Sequence, residues 1–169
     1  MSKYEIVDTD IPGLLDKWYK RIRESQFSHF QAENHYAKLH FRIGCAATIS
    51  TIVVGSSFFG AYEMNPGHQM KLILGLFSLV AIILTGLQTF LDYSDRAKKH
   101  QIAATGYGAL RRKIEQLKTY LATDTVSFEL ADEINNLREK IDALSGDAPN
   151  IPHSIWKKAK KVMDEEAKR

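Results

Sequence analysis

Ile43–Tyr62 reads IGCAATISTIVVGSSFFGAY, and Leu72–Leu91 reads LILGLFSLVAIILTGLQTFL. Neither run of twenty residues holds a charged side chain, and nine residues separate the two. A helix rises about 1.5 Å per residue, so each run spans roughly 30 Å, the thickness of a bilayer's hydrocarbon core. The pair reads as a membrane hairpin, and the expected fold class is an all-α membrane protein. The expected layout is one domain over 1–169. A cytoplasmic helix over 10–42 leads into transmembrane helix 1 over 43–62. An external loop over 63–71 and transmembrane helix 2 over 72–91 follow, then a cytoplasmic helical pair over 92–145 and a basic tail over 153–169. The alternative is a buried hairpin in a soluble protein, but runs beyond eighteen residues favour a span.

Average composition hides this signal. Mean hydropathy is −0.26 because polar ends dilute the two runs. A formal net charge of +3 is too small to argue for a nucleic-acid partner. The single cysteine, Cys45, lies inside the first run, so neither an intrachain disulfide nor a C-x-x-C site is available. Met1–Asp10 contains Glu5, Asp8 and Asp10 and no apolar core, so no cleavable leader is expected and the runs should stay in the mature protein.

The connection Glu63–Lys71 contains Asn65-Pro66-Gly67, which is turn chemistry: Pro presets φ and Gly accepts positive φ. Lys17, Lys20, Arg21, Arg23, Lys38 and Arg42 precede the first run, and Arg96, Lys98, Lys99, Arg111, Arg112 and Lys113 follow the second. The connection offers only Lys71. By the positive-inside rule both ends face the cytoplasm of a bacterial inner membrane and the loop faces out.

Small and polar residues recur within the runs. Gly44, Thr48, Thr51 and Gly55 repeat at helical spacing, and Gly60 follows Ser56 as a small-x-x-x-small pair. Gly75, Ser78, Thr85 and Thr89 form a second stripe, interrupted by Ile82, and Gln88 is the most polar side chain of its run. Stripes of this kind serve helix packing, and an intramembrane amide seeks an interhelical hydrogen bond. A second reading is that part of a stripe lines a pore, which requires self-association because one hairpin encloses no channel.

Ahead of the first run, Asp10 with Pro12 marks a helix start. Ile11, Leu15, Trp18 and Ile22 then repeat, Phe27, Phe30 and Leu39 continue less regularly, and no breaker stands between Gly13 and Gly44. After the second run come Leu110, Ile114, Leu117 and Leu121, a loop over Thr123–Val126, and Ser127 as N-cap of a helix carrying Leu130, Ile134, Leu137, Ile141 and Leu144. Gly146 offers its stop. Each stripe is about two heptads, enough to pack on one another, on the N-terminal helix, or on other protomers. Leu110, Ile114, Leu117, Leu130, Ile134 and Leu137 are therefore the candidates for oligomer or partner contacts. Lys157, Lys158, Lys160 and Lys161 cluster beside Trp156 in the tail, a pattern that suits either anionic headgroups or solvent.

Enzyme chemistry is not visible. His29, His35, His40 and His100 lack metal-ligand spacing with one another or with Cys45. Gly106-Tyr107-Gly108 follows no expected strand, and Arg111 stands where a third fingerprint glycine would fall. No catalytic residue, metal or cofactor is expected.

The helix–hairpin–helix plan from about Leu14 to Leu144 resembles the SLATT family of two-transmembrane effectors, which associate with SMODS nucleotidyltransferases and SLOG sensing domains in bacterial conflict systems. Leu84-Thr-Gly-Leu-Gln88-Thr-Phe-Leu-Asp-Tyr93, then His100, Ala103-Ala104, Tyr107 and Leu110, carry the resemblance. It implies an oligomeric effector of anti-phage defence that permeabilises the membrane when a nucleotidyltransferase, a sensor or a reverse-transcriptase partner signals infection. No nucleotide-sensing domain is recognised in this chain, so the expected trigger is a separate sensor or enzyme, the alternative being a second messenger bound on a helical surface. The rivals are a non-conducting membrane anchor that assembles a cytosolic partner, and a constitutive small channel.

Overall fold

A computed structural model describes residues 10–63, 67–122, 128–166 and 168. The described residues contain five helices and no strand: α1 Ile11–Glu63, α2 His68–Leu91, α3 Tyr93–Ala122, α4 Phe128–Asp147 and α5 His153–Glu166. Asn65, Pro66, the loop Thr123–Val126 and the cap Ser127 lie outside the described residues. The all-α expectation and the two long apolar helices are both present.

Local chemistry explains the helix ends. Asp10 caps α1: its Oδ1 accepts the Gly13 N–H at 2.9 Å, and its carbonyl accepts that of Leu14 at 2.9 Å. With no glycine or proline between Gly13 and Gly44, α1 continues to Glu63. Gly67 is the N-cap of α2 with φ −59° and ψ 162°. It therefore does not use the positive φ expected of it, because an extended backbone is enough to enter a helix. The left-handed residue is Asp92, with φ 40° and ψ 53°, between α2 and α3. Its Oδ1 accepts the Asp95 N–H at 3.2 Å, and Arg96 Nε donates to the Leu91 carbonyl at 3.1 Å. One aspartate thus ends α2 and caps α3, and the arginine satisfies an end carbonyl of α2. Gly146 is not the stop of α4. The helix continues to Asp147, where the Ala148 N–H bonds the Leu144 carbonyl at 3.0 Å, and Pro149 follows.

The chain divides into two compact units. The first comprises the described parts of residues 1–33 and 98–169: the start of α1, most of α3, and α4 and α5. Its core is Leu15 and Ile22 from α1, Ala103, Tyr107, Leu110, Ile114 and Leu117 from α3, and Leu130 and Leu137 from α4. The α3 residues alternate spacings of four and three, so every one falls on one stripe. Gly106 and Gly108 let neighbours approach: a β-carbon at Gly106 would lie 3.1 Å from the methyls of Leu144, and one at Gly108 would lie 2.7 Å from the Gln26 amide. The Gly-Tyr-Gly sequence is thus a packing device in mid-helix. Lys118 pairs with Asp16, Lys113 with Glu133 at 3.2 Å, and Tyr19 donates to Glu115 at 3.1 Å around the rim. Exposed pairs of this kind add little stability.

The second unit is Asn34–Ala97. Within it the two apolar runs meet through small side chains, with Ala47, Ser50 and Ala81 buried. Outward stand Phe41, Ile49, Ile52, Leu72, Leu76, Leu79, Ile82 and Phe90, each more than half exposed. Only 6% of the most apolar stretch of α2 is buried. A soluble hairpin would hide that surface; an apolar belt so large and so bare needs lipid.

Candidate functional site

Two places in the molecule concentrate polar chemistry against apolar surroundings. The first is the flank of the hairpin. Thr51 and Val54 of α1 and Ser78, Ala81, Ile82 and Thr85 of α2 line a shallow, mostly apolar groove of about 410 Å³. A second groove follows α1 alone, along His40, Phe41, Gly44, Cys45, Thr48 and Ile49. Most of the small-residue stripe is therefore exposed along the flank of the hairpin. Ala47, Ser50 and Ala81 are buried, while Thr48, Thr51, Gly55, Gly75, Thr85 and Thr89 are exposed. A β-carbon at Gly55 or Gly75 would meet nothing within 4 Å. Ser78 is half-buried at the groove's edge. Gln88 is half-buried and lies over Gly44, its Nε2 3.4 Å from where a β-carbon would stand. The surroundings of Gly60 fall outside what the structure describes.

The hydroxyls do not require water. Thr51 donates to the Ala47 carbonyl at 2.9 Å, Ser78 to Leu74 at 2.9 Å, Thr85 to Ala81 at 2.8 Å and Thr89 to Thr85 at 3.1 Å. Ser50 donates to Ala46 at 2.8 Å and Ser57 to Val53 at 2.7 Å. Each bond runs back four residues, the standard way a helix in lipid satisfies a hydroxyl.

The second place is a histidine pair in the first unit. His29 of α1 and His100 of α3 are both buried, with their Nδ1 atoms 2.9 Å apart. In a bond between these two nitrogens, one ring donates Nδ1–H and the other accepts through a bare Nδ1, so at least one imidazole is neutral. Burial lowers the pKa of both rings, and the neighbouring His100 lowers His29 further, to about 4. Tyr107 stacks on His29 with centroids 5.5 Å apart, and its hydroxyl bonds Ser145 of α4 at 3.3 Å. Among the described residues no three His, Cys, Asp or Glu side chains converge as a metal site would require.

The pairing of His29 was not read from sequence, although a signal exists. Leu15, Ile22 and His29 are spaced by seven and all buried, so His29 extends the core stripe of α1. His100 stands seven residues before Tyr107 on α3 in the same way. Tyr36 and Tyr93, stacked at 5.9 Å in the second unit, were also not anticipated.

The six contact candidates of the cytoplasmic stripes occupy the core. Leu110, Ile114, Leu117, Leu130 and Leu137 are buried, and Ile134 packs against them. Within the single chain, then, these stripes pack on one another and on α1, two of the destinations their spacing allows.

Residues 11–169 match the family described as SMODS and SLOG-associating 2TM effector domain family 4. No curated protein and no solved structure gives a significant match.

Proposed function

The chain belongs to SMODS and SLOG-associating 2TM effector domain family 4, a family of membrane effectors in defence systems, and from that premise we propose that it self-associates and permeabilises the bacterial inner membrane. Both termini are cytoplasmic in this reading, and a nucleotidyltransferase, sensor or reverse-transcriptase partner supplies the trigger. No catalytic step is part of it.

One observation carries the proposal. The hairpin presents an open, small-residue groove along Thr51, Ser78 and Thr85 within a bare apolar belt. Two helices cannot enclose a water path, and small residues on exposed helix flanks are what close helix–helix approach in lipid uses. Self-association through the flanks would convert a hairpin into a ring. One observation favours the rival anchor reading: every stripe hydroxyl with a described bond is satisfied by its own backbone, so nothing in the hairpin demands water.

The test is dye release from liposomes carrying purified protein, alongside a membrane-potential dye in bacteria that co-express the protein with its genomic neighbours. Release and depolarisation on triggering are expected. Assembled protein in sealed liposomes and polarised cells would reject permeabilisation and leave the anchor.

A further inference from the structure

We propose that α5 is a lipid-contacting element whose lysine face rests on the anionic headgroups of the membrane that holds the chain. This inference rests on the chain being a membrane protein and not on pore formation.

Helix α5 is preceded by Pro152, whose carbonyl accepts the N–H groups of Ile155 and Trp156 at 2.9 and 3.1 Å. Its inner face is already occupied, with Ile155 and Ala159 buried and Met163 lining one shallow pocket with Phe27 and Phe30 of α1. Outward stand Lys157, Lys158, Lys160 and Lys161, with Trp156 41% exposed at the border, and one turn further on Val162, Asp164, Glu165 and Glu166 are exposed as well. Among the described residues no carboxylate pairs with Lys157, Lys158 or Lys160. Lys161 reaches Glu165 only at 3.9 Å, with both side chains largely exposed.

The order of charge along α5 points outside the protein. The four lysines lie in its first two-thirds, and Asp164, Glu165 and Glu166 lie at its end. A helix favours acids near its N-terminus and bases near its C-terminus, so this order opposes the dipole. The dipole therefore does not account for the place of the lysines, whereas an external layer of negative charge would.

Geometry selects a surface over a small anion. At about 100° per residue the four lysines spread over roughly 160° of the helix circumference, so their ammonium groups diverge rather than converge on a point. Trp156 adds an amphipathic ring at the border, stacked on His153 at 5.8 Å with Lys160 Nζ 5.2 Å from its centroid. An aromatic ring bordered by lysines is the composition of an interfacial helix. A membrane surface is also always at hand. The same chain carries the two spans, so headgroups meet α5 at high effective concentration and each lysine gains from their surface potential.

The test uses the full chain with Trp18→Phe, which leaves Trp156 as the only tryptophan. It is reconstituted untriggered into vesicles with brominated acyl chains, of phosphatidylcholine alone or mixed with phosphatidylglycerol. Trp156 emission should fall roughly twofold further in the anionic vesicles and recover at about 0.5 M salt. Replacing Lys157, Lys158, Lys160 and Lys161 by glutamine should remove the difference while circular dichroism stays unchanged. Equal emission in both lipids, or quenching that survives the glutamine variant, would overturn the proposal, and the former outcome would leave the face to a soluble acidic partner. Dye retention is read in the same vesicles. With the trigger then added, leakage without quenching sinks this inference alone, and quenching without leakage sinks the permeabilising reading alone.

Discussion

At the scale of single residues, the bond between His29 and His100 makes the first unit sensitive to acid. The folded pKa of His29 is about 4, below the ordinary 6.5 of an unfolded chain. Between those values the unfolded state binds more protons, so stability is complete above about pH 6.5 and falls as pH drops toward 4. His100 shifts the same way and adds to the loss. The loss attributable to His29 is on the order of 3 kcal/mol across that window. Thermal melts of detergent-solubilised protein at pH 7.5, 6 and 5 should step downward. His29→Gln should lower the melt at pH 7.5 and flatten the steps; steps of unchanged size in that variant would remove the pair as their origin. The sequence offered His100 and Tyr107 as landmarks but not their partner. A histidine at a core heptad position looks polar in a linear reading, and only the facing histidine 71 residues away makes its burial affordable.

Among the elements, the membrane helices show where sequence reading succeeds and where it stops. Twenty uncharged residues announce a span because length and charge are one-dimensional properties. Which face of a span meets its partner is another matter. In lipid both faces are apolar, so no hydrophobic asymmetry marks the inner one, and nothing in the linear sequence sets Ala47, Ser50 and Ala81, which are buried, apart from the exposed glycines and threonines. Two substitutions separate the buried face from the exposed one experimentally. Ala81→Leu should overpack the hairpin and cost about 1–3 kcal/mol, read as a lower melting temperature in detergent. Gly55→Leu meets open space, so it should leave the melt in place or raise it slightly while altering the oligomer profile in cross-linking. A lowered melt for Gly55→Leu with an unchanged one for Ala81→Leu would reverse the assignment of faces.

Taken whole, the molecule builds its first unit from chain on both sides of the hairpin: Leu15 and Ile22 share one core with Ile114, Leu117 and Leu137. Segments that pack together must lie on one side of the membrane, so the number of crossings between them is even. In the proposed orientation that side is the cytoplasmic one, on the ground of the cationic flanks against the single Lys71 of the connection. With Cys45→Ser, a Gln69→Cys variant should accept an impermeant thiol reagent in intact cells. Labelling that needed lysis would reject this orientation. The heptads of α3 and α4 were legible in the sequence as apolar stripes. Their destination was not, because a stripe two heptads long serves a neighbouring helix or another protomer equally well until the N-terminal helix is seen against it. The interleaving of this core also dictates an order of events during synthesis. When Leu15, Trp18 and Ile22 leave the ribosome, the residues that cover them have not been made, and all of 34–97 must be translated first. At roughly 5–20 residues per second that interval is about 3–13 s, during which the growing chain shows a sticky helix to the cell and can complete its core only after both spans have been produced.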